Sequence, residues 1–124
     1  MEIKVPSSRE TTENNKVFKV YQVEVCYRGW EHSFEKRYSE FLELHRVMKL
    51  LRRVHNAELP HFPGQMVWKQ LFSKLNSEDV ELRRRGLETY LQELVSTECA
   101  RRSRFFMEFI EMPSELRDQW LKAT

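Results

Sequence analysis

Phe34-Glu35-Lys36-Arg37-Tyr38-Ser39-Glu40-Phe41-Leu42-Glu43-Leu44 holds the change of hydrophobic period that decides the fold. Before it, Trp30, His32 and Phe34 alternate with Glu31, Ser33 and Glu35, the period of a strand with two unlike faces. After it, Phe41, Leu44, Met48 and Leu51 recur at helical spacing, and the helix is expected to reach about Val54. Ser39 is placed to cap the first amides, with Glu40 in the first turn. A strand therefore passes directly into a helix.

Upstream, Tyr21, Val23, Val25 and Tyr27 alternate with Gln22 and Glu24, and Arg28-Gly29 supplies a hairpin turn into the Trp30 strand. Phe18 and Val20 sit on the opposite phase, so a bulge is expected near Val20. Ile3 and Val5 mark a first strand ending at Pro6, and the polar stretch from Ser7 to Asn15 reads as a loop. Downstream, Leu59-Pro60-His61-Phe62-Pro63-Gly64 cannot continue a helix, because each proline drives its predecessor to extended geometry. Asn76, Ser77, Glu78 and Asp79 signal a second helix to about Ser96, with the stripe Leu87, Tyr90, Leu91 and Leu94. A third helix is expected from about Ala100 to Glu111. After Pro113 a short amphipathic tail carries Leu116, Trp120 and Leu121. The sum is an α+β fold: a three-stranded antiparallel meander packed against three to four helices, with a proline-rich crossover. One domain covers 1–112, and 113–124 packs on it.

Composition narrows the function. The 124 residues are 40% hydrophobic, enough for one core, and the net charge of +2 gives no whole-molecule field toward nucleic acid. An anion site has to be local. Cys26 and Cys99 fit neither a disulfide framework nor a metal spacing, which points to a reducing compartment, and the four histidines add no metal set. No apolar run is long enough to span a bilayer. Three glycines leave no room for a phosphate loop, no nucleophile elbow is present, and neither catalysis nor a cofactor is expected.

Two clusters carry candidate chemistry. Offsets of four, seven, eight and eleven from Arg83 land on Leu87, Tyr90, Leu91 and Leu94, so Arg83 shares the buried face while Arg84 and Arg85 rotate away. A buried guanidinium requires either an internal carboxylate or an outside anion. At the strand-to-helix junction, Lys36, Arg37, Tyr38 and Ser39 combine free amides, a planar bidentate donor, an aromatic face and a hydroxyl. Phosphate and a polyol ring suit that kit. A solvated basic strand end is the plainer reading. The basic stretch from His45 to Arg53 reads as a solvated helix face rather than a partner-binding helix.

Three motifs, Lys36-Arg37-Tyr38-Ser39-Glu40-Phe41, Leu59-Pro60-His61-Phe62-Pro63 and Glu81-Leu82-Arg83-Arg84-Arg85-Gly86-Leu87-Glu88-Thr89-Tyr90-Leu91, resemble the phox-homology (PX) domain in order and spacing. The resemblance is in particular to the small sorting nexins, which consist mainly of this domain. The resemblance implies that Arg37 grips the 3-phosphate of phosphatidylinositol 3-phosphate, assisted by Ser39, that Tyr38 lies under the inositol ring, and that Arg83 bonds the 4- and 5-hydroxyls. It places Gln65 where the family has a lysine for the 1-phosphate; Lys69 is the alternative cation there. Met66, Val67 and Trp68 match the loop that inserts into the bilayer, where an amphipathic indole is at home.

The reading is a non-enzymatic phosphoinositide-binding module, a monomer, peripheral on the cytosolic face of early endosomes, with trafficking proteins as further partners and no nucleic acid. The alternative is a protein-interaction module that keeps the fold but has weak or lost lipid affinity.

Overall fold

The computed structural model describes residues 1–55, 58–63 and 77–123. Three antiparallel strands, β1 (Glu2–Glu13), β2 (Lys16–Tyr27) and β3 (Trp30–Arg37), form one sheet in the order β1-β2-β3. Both connections are two-residue hairpin turns with positive φ: 50° and 62° at Asn14 and Asn15, 47° and 83° at Arg28 and Gly29. These are conformations that asparagine and glycine reach cheaply and that match the right-handed twist of the sheet.

The first strand is longer than its hydrophobic pattern suggests. Ser7 to Glu13 is not a loop but continues β1, paired with β2 as far as Glu13 opposite Lys16. This part of an edge strand is largely exposed, so no apolar alternation marks it. The irregularity falls between Lys4 and Ser7, whereas Val20 pairs regularly with both Arg9 and Arg37. The bulge expected near Val20 is thus at Val5 and Pro6, where proline's missing N–H does least harm. Phe18 and Val20 keep regular alternation and occupy the sheet face opposite Tyr21, Val23, Val25 and Tyr27.

Five helices follow among the described residues: α1 (Tyr38–His55), α2 (Ser77–Leu94), α3 (Glu98–Arg101), α4 (Arg104–Phe109) and α5 (Ser114–Lys122). The single helix expected over 100–111 is split, because Ser103 leaves helical geometry and its Oγ accepts from the Phe106 N–H at 3.2 Å, starting α4 afresh. The α1 boundary also moves. Arg37, rather than Ser39, precedes the helix, and its backbone N–H donates to Glu40 Oε1 at 3.0 Å, half of a capping box.

The inward face of β2, with Val5 and Phe34, closes over Phe41, Leu44 and Met48 of α1 and Leu87, Tyr90, Leu91 and Leu94 of α2, all buried. A second face of α2 secures the sheet edge. Glu88 accepts the Val5 N–H at 2.8 Å, Arg84 Nη1 donates to the Val5 carbonyl at 2.6 Å, and Gln92 donates to the Ile3 carbonyl at 3.0 Å. Spacing of four along α2 thus answers the outward backbone groups of the bulged edge strand. Arg84 does not turn to solvent; it is half-buried and also bonded to Glu81.

Candidate functional site

The junction of β3 and α1 sends two consecutive side chains in different directions. Arg37 ends β3 in phase with Glu31, Ser33 and Glu35, so its side chain leaves on the outer sheet face; Tyr38 opens α1 and turns toward the crossover. The guanidinium carbon of Arg37 stands 3.9 Å from the centre of the Phe18 ring, and its Nη2 pairs with Glu13. β3 stops at Arg37, short of Phe18, and the arginine side chain lies over that ring.

Tyr38 is fixed at its far end. Its hydroxyl donates to the Pro63 carbonyl at 2.9 Å, and its ring lies against Phe62 with centroids 5.6 Å apart. Phe62 in turn stacks on His45 at 4.7 Å and meets the Tyr90 ring edge-on at 5.0 Å. His45 Nδ1 and the Tyr90 hydroxyl share a buried hydrogen bond of 2.9 Å. A run of aromatic contacts therefore holds the crossover against α1 and α2. Gly86 completes the fit, because a Cβ there would stand 2.5 Å from Pro63 Cβ.

Arg83 is buried, as its phase on α2 requires, and its guanidinium carbon lies 4.1 Å from the centre of the Tyr38 ring. Stacking on an aromatic face suits a planar, weakly hydrated cation in a desolvated place. Burial raises the pKa of the Tyr21 and Tyr38 phenols, and the nearby Arg83 charge opposes that rise. A stacked guanidinium directs its N–H groups sideways, in its own plane, where hydroxyl or phosphate oxygens can meet a planar cation.

The structure thus brings Tyr38 and Arg83 together, sets Arg37 beside them in the chain with its side chain toward the β1–β2 hairpin, and leaves Ser39 exposed in the first turn of α1. Gln65, Lys69, Met66, Val67 and Trp68 lie outside the described residues. Glu13 and Phe18, the two partners of the Arg37 side chain, were not singled out by pattern. Glu13 falls in the polar stretch read as a loop; the Asn14-Asn15 pair was the signal that this stretch is a hairpin. His45, within the basic stretch of α1, is a core residue rather than part of its solvated face.

Comparison with known proteins bears on the family and the fold. A family model described as PX domain matches residues 24–113. Sorting nexin-24 of Homo sapiens is 34% identical over 113 residues, which cover 90% of this chain and 60% of that protein. Sorting nexin-22 of Homo sapiens is 33% identical over 99 residues, covering 74% of this chain and 45% of that protein. The chain therefore spans about 60% of the length of the first of these relatives. Among solved structures, the X-ray structure of a designed CISK-PX domain superposes with a TM-score of 0.75 at 26% identity, covering 90% of this chain and 99% of that one. The mouse SNX19 PX domain with bound sulphate ion gives a TM-score of 0.60 at 20% identity, covering 91% and 97%, a likeness of fold alone.

Proposed function

The chain belongs to the PX domain family, and from that premise we propose that it is a phosphoinositide-reading module that recruits its protein to membranes, with phosphatidylinositol 3-phosphate as ligand. The observation that carries the reading is the Arg83 guanidinium stacked on Tyr38, one residue from Arg37, at the end of a strand. Arg37 supplies the planar donor for the 3-phosphate, and the exposed Ser39 hydroxyl assists. The rim of Arg83 faces ring hydroxyls while Tyr38 offers an apolar surface to the C–H side of the inositol. No described helix is long and apolar enough to cross a membrane, so contact through these helices is peripheral. Similarity to sorting nexins supports action in endosomal trafficking, as a non-catalytic adaptor on the cytosolic face of early endosomes. Gln65, in place of a lysine, weakens the hold on the 1-phosphate unless Lys69 reaches it, and Met66, Val67 and Trp68 are the proposed insertion loop.

Co-sedimentation with phosphatidylcholine vesicles carrying each phosphoinositide tests the reading. Wild type should pellet with the 3-phosphorylated lipid. Arg37→Ala should lose at least about tenfold in affinity, since charge-assisted hydrogen bonds contribute roughly 1.5–3 kcal/mol each. Unchanged binding by a folded Arg37→Ala variant would sink the assignment. One observation favours a second reading, a protein-interaction module with little lipid affinity: Arg37 already has an internal anion in Glu13. Wild type ignoring every phosphoinositide vesicle would decide for it.

A further inference from the structure

Arg37 does not stand waiting for a phosphate. Its Nη2 is paired with the Glu13 carboxylate, the last residue of β1, and its plane is supported by Phe18. The position of Glu13 is set by the fold. It pairs with Lys16 across a two-residue turn in which both central residues have positive φ, a tightly defined hairpin. The Glu13 backbone is therefore fixed beside the arginine, with the carboxylate within reach of it.

We propose that Glu13 is an internal competitor for the phosphate site: the headgroup's 3-phosphate must displace this carboxylate from Arg37, and Glu13 thereby sets the lipid affinity. The inference rests on the phosphoinositide reading above. A phosphate seated end-on against a guanidinium uses both terminal nitrogens, and Glu13 already holds one of them. Two anions on one guanidinium repel, so the carboxylate and the phosphate compete for it.

The neighbouring row of the sheet offers a contrast with this pairing. Arg9, the other cross-strand neighbour of Val20, is held by Glu35 through two nitrogens, Nε at 2.5 Å and Nη2 at 2.7 Å. That fork is closed, and the bond to Arg9 lowers the Glu35 pKa. Arg37 meets its carboxylate through a single nitrogen, and the Glu13 side chain is 59% exposed, so water can take the carboxylate when it leaves. Glu13 acting instead to orient Arg37 for phosphate would give the opposite sign in the test below.

The test measures affinity for phosphatidylcholine vesicles with and without phosphatidylinositol 3-phosphate, for phosphatidylserine vesicles, and for soluble inositol 1,3-bisphosphate. Glu13→Gln should bind both the 3-phosphorylated vesicles and the soluble headgroup about threefold to fivefold more tightly, the range expected on releasing an exposed ion pair. Glu10→Gln, which makes the same charge change beside Lys19, should gain less. The double variant Glu13→Gln/Arg37→Ala should behave as Arg37→Ala alone. If Glu13→Gln leaves affinity unchanged or lowers it while Arg37→Ala abolishes it, the competitor role is overturned and the pocket stands. If Glu13→Gln strengthens phosphatidylserine binding equally, the effect is one of net charge and the proposal fails. Retained binding by Arg37→Ala overturns the phosphoinositide reading itself.

Discussion

His45 is packed flat on Phe62, edge-on to Tyr90 and bonded to its hydroxyl, in a buried site. Burial, then the charges of Lys49 and Arg52 and the neighbouring His61, push its pKa down to about 4. The unfolded chain binds the same proton near pH 6.5. Between those values the unfolded state holds more protons, so stability is complete above about pH 6.5 and declines as pH falls toward 4. The full difference is about 3 kcal/mol, of which about 2 should be lost by pH 5. Urea titrations of the wild type at pH 7.5 and pH 5 should show this loss, and His45→Gln should flatten the dependence over that interval. An equal pH slope in the variant would mean that the proton is taken up elsewhere. This residue was hidden from sequence reading because its neighbours Arg46, Lys49, Arg52 and Arg53 give the segment a solvated look. Arg83 was legible for the converse reason: a cation in phase with Leu87, Tyr90, Leu91 and Leu94 contradicts its face, and such contradictions are readable.

Secondary elements were legible where burial imposed a period and obscure where side chains met solvent on both faces. β2, β3, α1 and α2 announce themselves through Tyr21 to Tyr27, Trp30 to Phe34, Phe41 to Met48 and Leu87 to Leu94. The outer half of β1 does not, because Ser7 to Glu13 is held by backbone pairing that leaves no apolar trace. The crossover was recognisable from Pro60 and Pro63, but what docks it was not. That role belongs partly to Gly86, in the middle of α2, where glycine is otherwise costly by about 1 kcal/mol relative to alanine. The close approach of Pro63 explains the choice. Gly86→Ala should improve helix propensity yet force the proline ring outward, and overpacking of this kind costs typically 1–3 kcal/mol. We expect a net loss of up to about 2 kcal/mol in urea unfolding, together with weaker lipid binding, because Pro63 anchors the Tyr38 hydroxyl. A stabilised variant with unaltered binding would show that the crossover has room to retreat.

At the scale of the whole molecule, the question is whether residues 113–124 form part of the same cooperative unit. The family model ends at residue 113, which by itself would make the last helix an appendage. The contacts argue otherwise. Trp120 is buried, its ring stands edge-on to Tyr27 at 5.2 Å, and its indole N–H donates to the Arg101 carbonyl at 2.9 Å. Arg101 returns the contact, with Nη2 donating to the Trp120 carbonyl at 2.9 Å and its guanidinium carbon 4.6 Å from the indole centre. One side chain therefore ties α5 to the end of β2 and to α3 at once. Truncating a buried tryptophan to alanine costs about 3–5 kcal/mol, a large share of the 5–15 kcal/mol that stabilises a domain of this size. With a urea m-value of roughly 1–3 kcal/mol/M, Trp120→Ala should lower the unfolding midpoint by more than about 1 M. The transition should remain single and coincide when followed by far-ultraviolet circular dichroism and by the fluorescence of the remaining tryptophans. An unshifted midpoint would mean that α5 adds nothing to the core. A second, separate transition would mean that it folds apart from it.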